Sequence, residues 1–190
     1  SDLVIPDSVT SIGERAFSSC KSLQSIVIPD SVTEIGESAF RWCESLQSIV
    51  IPDSVTKIDE YAFGWSSLQS IVIPEAVSEI GYSTFIGCSS LQSIVIPEST
   101  TKIGKNAFEN CRSLQSIVIP DSVTEIGYST FIGCSSLQSI VIPNSVTEIG
   151  SKPFPLGINL TSHSDRFVVE NNLLIDLEEK RLIQCLKDRE

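Results

Sequence analysis

Six cysteines, one histidine and a row of carboxylates are the residues of this 190-residue sequence whose chemistry could go beyond packing. Cys20, Cys43, Cys88, Cys111 and Cys134 recur at one position of a repeated unit, and Cys185 stands apart. On neighbouring turns of a coil such cysteines fall within the Cα range of a disulfide, but their Cβ vectors run parallel instead of toward each other. The expectation is a ladder of buried free thiols acting as small hydrophobes. Metal ligation is disfavoured because every ligand comes from one side. Cys185, on an extended segment, is expected to be buried as well. Because cysteine follows the repeat, its count says nothing about redox compartment. Nucleophilic catalysis needs a base beside the nucleophile, and the single histidine, His163, reads as a surface residue. No catalytic constellation results, and no enzyme is expected. Asp7, Asp30, Asp53, Glu75, Glu98 and Asp121 follow the repeat prolines. Calcium takes about six to eight oxygens around one ion, whereas a line of carboxylates offers two at a time. These residues read as solvated turn formers, and neither metal nor cofactor is expected.

A repeated unit positions all of these side chains. Residues 114–136 read LQSIVIPDSVTEIGYSTFIGCSS, residues 23–36 repeat the first fourteen letters, and residues 79–97 are identical to residues 125–143. Self-similarity at a period of about 20 to 50 residues marks a stacked array in which each repeat is one supersecondary unit. Full units start at Leu23, Leu46, Leu68, Leu91, Leu114 and Leu137, 23 residues apart except for 22 between Leu46 and Leu68. A truncated unit opens the chain with Leu3, Val4, Ile5 and Pro6. Within a unit Leu114, Ile117 and Ile119 can face one side and Gln115, Ser116 and Val118 the other. The β-branched run argues for a strand, and Pro120, with no N–H to donate, ends it. Pro120, Asp121 and Ser122 are turn chemistry. Residues 123–127 form a second short extended segment closed by Gly127. Thr130, Phe131 and Cys134 fit one inward-facing turn of α or 3₁₀ helix.

A single unit cannot bury enough apolar surface to offset the entropy of ordering it. Stacking adds hydrogen bonds between rungs, with coil following coil at about 4.8 Å. Like residues then form ladders, and Phe17, Phe40, Phe63, Phe85, Phe108, Phe131 and Phe154 make one aromatic spine. After Gly150 the pattern decays. Phe154 keeps its slot, Leu160 is expected in the next leucine slot, and His163 and Asp165 fall at the two isoleucine positions, leaving that rung polar on its buried side. Residues 166–170, 173–177 and 181–186 read as a three-strand meander turning at Asn171 and Asn172 and at residues 178–180. An open solenoid end exposes unpaired amides and an apolar face, so a cap is expected. Residues 1–159 are thus read as a solenoid of about seven turns and residues 160–190 as a C-terminal β cap. The amino end opens inside a strand, which points to upstream repeats or to end-to-end self-association through an uncapped rung. The sequence holds no Met, so Ser1 is not a translational start and the chain is expected to be processed or cut from a longer one. No apolar run approaches about 18 residues, so no membrane-inserted helix is expected.

The pattern L-x-x-I-x-I-P-x-S-V-T-x-I-G-x-x-A-F-x-x-C resembles the BspA-type leucine-rich repeat. It is carried by six full copies and one partial copy, and in one unit alone Leu46, Ile49, Ile51, Pro52, Val55, Ile58, Ala62 and Phe63 fall in register. Residues 167–175 and 181–183 resemble the β-hairpin segment that often follows such repeats. Asp59 in place of glycine, the shortened third unit and Thr100 in place of valine are the departures. The resemblance implies a right-handed leucine-rich-repeat coil of about 23 residues per turn, with a parallel concave β-sheet and short helical or 3₁₀ turns on the other side. It implies a surface-exposed or secreted protein with adhesion to host proteins or other cells as its usual work, and no catalytic motif.

Two surfaces could carry binding. Gln24, Gln47, Gln69, Gln92, Gln115 and Gln138 form one row of the concave face, with the Ser25, Ser48, Ser70, Ser93, Ser116 and Ser139 row beside it. The outward Val27, Val50, Val72, Val95, Val118 and Val141 row is apolar. Solenoids commonly bind along such surfaces, yet here every rung is the same, which suits either a repetitive ligand or recent duplication. Variation sits at the turn edge, where Trp42 and Trp65 share one slot, Tyr61, Tyr82 and Tyr128 another, and Ile86 and Ile132 a third. Aromatic residues are enriched at interfaces, so a contact ridge centred on Trp42, Trp65 and Tyr61 is expected; the bland alternative is that these rings only seal the core. The net charge of −11 and pI of about 4.5 disfavour nucleic acid, whose phosphates need a basic face. The expected partner is a protein or polysaccharide at a cell surface or outside the cell, with a ligand-free spacer as the alternative.

Overall fold

The computed structural model describes residues 3–187, so Ser1 lies outside the described residues. Each turn of the chain contributes two very short extended segments and a third, non-strand side. On the first side Leu3–Val4 pairs with Ile26–Val27, Ser70–Val72 with Ser93–Val95, and Ser139–Ile142 with Asn159–Ser162, all in parallel. A single bridge joins Val27 to Val50. On the second side Ser11–Ile12, Glu34–Ile35 and Lys57–Ile58 form one parallel sheet, and Glu79–Ile80, Lys102–Ile103, Glu125–Ile126 and Glu148–Ile149 another. Registers join like to like: Ile35 sits beside Ile58, and Ile103 beside Ile126. The strands are short because proline ends the first segment. Each of these proline carbonyls then accepts from the residue three on, a valine in every unit but the one with Thr100, as in Val32 N to Pro29 O at 3.0 Å, and the chain turns toward the second side.

The third side is not helical. The expected helical turn at Thr130, Phe131 and Cys134 is replaced by linked tight turns, and no helix occurs among the described residues. The backbone divides its donors. Ala39 donates to Gly36 O and Arg41 to Ser38 O inside the unit, while Ser38, Phe40 and Trp42 donate to Glu60, Ala62 and Gly64 of the following unit. A helix would spend every N–H within its own ladder. Here every second residue must face along the stack, and Ser38 and Trp42 adopt positive φ of 56° and 62° to allow it. The inward placement of Thr130, Phe131 and Cys134 holds nonetheless.

The phenylalanines meet as expected. Successive rings from Phe17 to Phe154 are stacked with centroids 5.2–6.0 Å apart and planes within 6°. Three further ladders of side-chain donors run along the stack, each pointing to the preceding unit. Ser31, Ser54 and Ser145 hydroxyls donate to Val9, Val32 and Val123 carbonyls. Thr33, Thr56 and Thr124 donate to Thr10, Thr33 and Thr101. Cys43, Cys88, Cys111 and Cys134 thiols donate to Phe17, Phe63, Phe85 and Phe108 carbonyls at 3.0–3.2 Å.

In the later units the backbones of neighbouring turns come very close at the glycine that closes the second segment. A Cβ on Gly150 would stand 2.4 Å from Tyr128 N, whereas one on Gly81 would meet nothing nearer than Thr84 Oγ1 at 3.5 Å. Gly150→Ala is therefore expected to cost about 1–3 kcal/mol through forced backbone shifts, and Gly81→Ala little. Urea midpoints of the two variants against the parent check this.

At the carboxyl end Phe167–Glu170, Leu173–Asp176 and Arg181–Cys185 form the expected antiparallel meander. Asn171 and Asn172 take positive φ of 49° and 62°, the two-residue hairpin geometry whose twist suits the flanking strands. Two expectations are corrected. Leu160 does not occupy the leucine slot: it lies beside Ile140, with Ser162 beside Ile142, so the final rung is shorter than a full unit and keeps an apolar residue at the first isoleucine position. His163 and Asp165 consequently fall past the rung and are exposed. Cys185 is exposed, not buried, because the inward position of its strand is taken by Gln184, whose carboxamide accepts from Phe154 N at 3.2 Å and donates to Phe154 O at 2.8 Å. Cys20 is exposed too, since no earlier turn of the described chain lies over it. The guanidinium of Arg166 grips the wholly buried Asp176 carboxylate with two bonds, of 3.0 and 2.9 Å, and holds that carboxyl below the usual range.

Candidate functional site

The thiol ladder has the geometry of packing and none of a reactive centre. Burial pushes the Cys43 and Cys88 thiols up to about 11 and that of Cys134 to about 12, and Cys111 rises too. A thiol raised in the folded state favours folding only while both states are protonated. Its contribution is complete below the ordinary value near 9.0, where the unfolded thiol begins to ionise, and fades as pH climbs through about 11. Unfolding in urea at pH values on both sides of 9.0 is expected to show this alkaline loss, with a shallower slope in Cys88→Ala.

The second side carries an ordered row of charge that the sequence reading passed over. Glu34, Lys57, Glu79, Lys102 and Glu125 alternate in sign on successive rungs. Lys57 Nζ lies 2.7 Å from Glu34 and 2.9 Å from Asp59, and Lys102 Nζ 2.8 Å from Glu125. Those carboxylates raise both lysines. The row borders an open groove of about 800 Å³, in which Lys57 and Lys102 are already paired with carboxylates.

The first side presents the rows read from the sequence. Gln47, Gln69, Gln92 and Gln115 are exposed, and the outward valines are among the most exposed apolar residues, with Val50 at 80% and Val118 at 77%. Val72 and Val95 are exposed likewise. The rows are unbroken and chemically uniform.

The turn edge is different. Trp42 and Trp65 stack with centroids 4.7 Å apart and planes at 11°. Trp65 is half-buried because its indole lies directly over Gly87, where any Cβ would collide with it. Trp42 remains 38% exposed. Tyr61 lies 6.4 Å from Trp65, nearly parallel, and 5.1 Å from Tyr82 edge to face. Tyr82 and Tyr128 are exposed at 38% and 47%, with Tyr128 two units away from the cluster. The expectation that Tyr61 shares a slot with Tyr82 and Tyr128 is corrected: counted from the phenylalanine spine, Tyr61 aligns with Ser38 and Ser83, all three at positive φ near 55°. This one-residue offset lets Tyr61 and Tyr82 touch. The ridge and sealing readings both describe part of the cluster, since Trp65 seals and Trp42 protrudes. Sequence reasoning missed Arg41, whose Cζ lies 4.7 Å from the Trp65 ring centroid, 4.9 Å from that of Tyr61 and 5.8 Å from that of Trp42. Its signal in the sequence was a long cation at the position that Gly64 holds in the next unit, one residue before the Trp42 and Trp65 slot.

Parallel rungs of about 23 residues around an Ile, Leu and Phe core define a solenoid of the leucine-rich-repeat class. A sequence model of the BspA-type leucine-rich repeat region matches residues 1–83 and 56–165 in six copies, and the chain belongs to that family. Among solved structures, a leucine-rich repeat protein of T. pallidum is 31% identical with a TM-score of 0.68, over 84% of this chain and 72% of its own. One from Bacteroides ovatus is 28% identical with a TM-score of 0.63, over 85% and 51%. A leucine-rich cell surface protein of Faecalibacterium prausnitzii is 28% identical with a TM-score of 0.57, over 92% and 51%. The chain therefore spans about half the length of the last two proteins. No curated protein matches the sequence.

Proposed function

We propose that this chain is a non-catalytic binding module of a cell-surface or secreted protein, and that it contacts a partner macromolecule through the edge formed by Arg41, Trp42, Tyr61, Trp65 and Tyr82. The observation that carries this reading is the local break in uniformity. In an array whose rungs otherwise repeat, two adjacent units replace small turn residues with stacked, partly exposed rings, and Trp, Tyr and Arg are the residues that dominate binding energy at interfaces. The surface placement draws on the family and on the F. prausnitzii protein described as a cell surface protein. Trp42→Ala is expected to cost only about 0.5–1.5 kcal/mol of stability, the value of one aromatic pair, and to remove saturable binding of the labelled chain to arrayed surface and matrix proteins. Trp65→Ala is expected to lose stability as well, because it uncovers Gly87. Binding unchanged in the folded Trp42→Ala variant refutes the ridge. The uniform Gln and Val rows, including Gln47, Gln69, Val50 and Val72, favour a second reading as a structural spacer without a ligand of its own, for which no saturable partner exists. If those rows bind instead, the ligand is one that repeats along the stack.

A further inference from the structure

The Arg41 side chain is anomalous in this chain. Twenty-four acidic against thirteen basic residues give a net charge of −11, and among the described residues the other cations without a carboxylate within ion-pair distance, Lys105, Arg112, Lys152, Lys180 and Lys187, are all exposed. Arg41 is half-buried, yet among the described residues it makes no ion pair. Its Nε is buried and has no hydrogen-bond partner. A buried donor of a charged group without an acceptor carries a desolvation penalty. The rings of Tyr61 and Trp65 recover part of the loss through the faces of their π systems, but a ring face does not satisfy an in-plane N–H.

We infer that this guanidinium is the receptor for a single carboxylate on a protein partner, a glutamate or aspartate side chain flanked by apolar residues. The inference rests on the ridge being a binding surface and names what it binds. A guanidinium presents a planar fork that matches a carboxylate with two parallel bonds. Pairing through its side edge uses Nε–H and one Nη–H, so it also satisfies the donor that is orphaned in the unliganded chain. Because Nε is buried, that pairing requires the rings around it to shift, and the partner's apolar side chains then cover Trp42, the more exposed of the two indoles. Rings around the pair exclude water, which strengthens the charge-assisted bonds. Acidic polysaccharides and nucleic acids offer carboxylates or phosphates in series, and the overall negative charge repels such polyanions at long range. One carboxylate set in an apolar protein surface escapes most of that repulsion.

The test uses the whole chain with two capped peptides, acetyl-Leu-Glu-Leu-amide and acetyl-Leu-Gln-Leu-amide. Tryptophan fluorescence and the ¹⁵N resonance of Arg41 Nε report binding. The glutamate peptide is expected to bind about tenfold more tightly than the glutamine peptide, the worth of one charge-assisted pair, and to shift the Nε resonance. Arg41→Gln is expected to equalise the two peptides, and Arg41→Lys, which keeps the charge and loses the fork, to remove most of the preference; thermal melting confirms that both variants are folded. Equal affinity of the native chain for both peptides overturns the carboxylate receptor and leaves the ridge standing. Undiminished binding of the glutamate peptide by Trp42→Ala brings down the ridge with it. Failure of both peptides to bind, or tighter binding of polygalacturonate than of the glutamate peptide, overturns the inference.

Discussion

Phe108→Ala is expected to lower the unfolding free energy by about 3–5 kcal/mol, the range for truncating a fully buried aromatic residue. Phe108 is wholly buried, and its ring stacks on Phe85 at 5.5 Å and on Phe131 at 5.6 Å, so the substitution breaks the spine on both sides at once. Its backbone is bound as tightly as its ring: the N–H donates to Thr130 O and the carbonyl accepts the Cys134 thiol. A cavity here cannot close by sliding one unit, because both neighbours are fixed by those bonds. In a stacked array stability sums local and nearest-neighbour contributions, so an interior break is also expected to uncouple the two halves. Urea unfolding followed by far-ultraviolet circular dichroism should show a lowered midpoint and a broadened or split transition. Phe108→Leu, which refills most of the volume, should restore much of the loss. A single transition with an unchanged midpoint rules out the spine as the main source of cohesion.

The second large effect is expected at the carboxyl end. Gln184→Ala removes the group that satisfies both Phe154 N–H and Phe154 C=O. In every earlier unit described, the phenylalanine N–H finds a carbonyl of the following unit, as Phe131 finds Pro153 O at 2.7 Å. The Gln184 carboxamide therefore stands in for the backbone of a turn that is not there. Leaving two buried backbone groups unpaired costs about 1–3 kcal/mol each, or roughly 2–6 kcal/mol together. The loss should be local: hydrogen exchange is expected to rise at Phe154, Gly157 and the Asn159–Ser162 strand while the units around Phe63 keep their protection. Gln184→Glu separates hydrogen bonding from size, since it retains an acceptor and gives up the donor at neutral pH. Uniform loss of protection along the chain, or none at all, contradicts the capping role.

The architecture was legible because the same apolar spacing recurs at almost every unit. Leu114, Ile117, Ile119, Val123 and Ile126 lie inward as their period requires, and the meander follows the alternation of residues 167–176. The third side was misread for a physical reason. Thr130, Phe131 and Cys134, an adjacent pair and a third residue three further on, suit a turn of helix, and nothing in one unit's letters says that half its N–H groups will be claimed by the next unit. The displaced Leu160 has the same origin, since its partner Ile140 is fixed by pairing and not by counting. Cys185 was misplaced because the inward-pointing side chain beside it, Gln184, is polar, and a polar residue reads as outward until its buried acceptor and donor are known. At the turn edge the two tryptophans and the three tyrosines were visible as letters. The one-residue offset that brings Tyr61 against Tyr82 shows only when each is counted from its own phenylalanine, and the approach of Arg41 to Tyr61 and Trp65 joins side chains of two different units.

The direction shared by the serine, threonine and cysteine donors has a further consequence. Ribosomes deliver a polypeptide amino end first, and each hydroxyl or thiol described here reaches back to a carbonyl made some 22 to 26 residues earlier. A newly emerged coil thus arrives carrying its own fasteners and finds their sockets already laid down. Accretion along the stack can keep pace with translation, and no completed coil has to hold its hydroxyls or thiol in waiting for sequence that is still to be made.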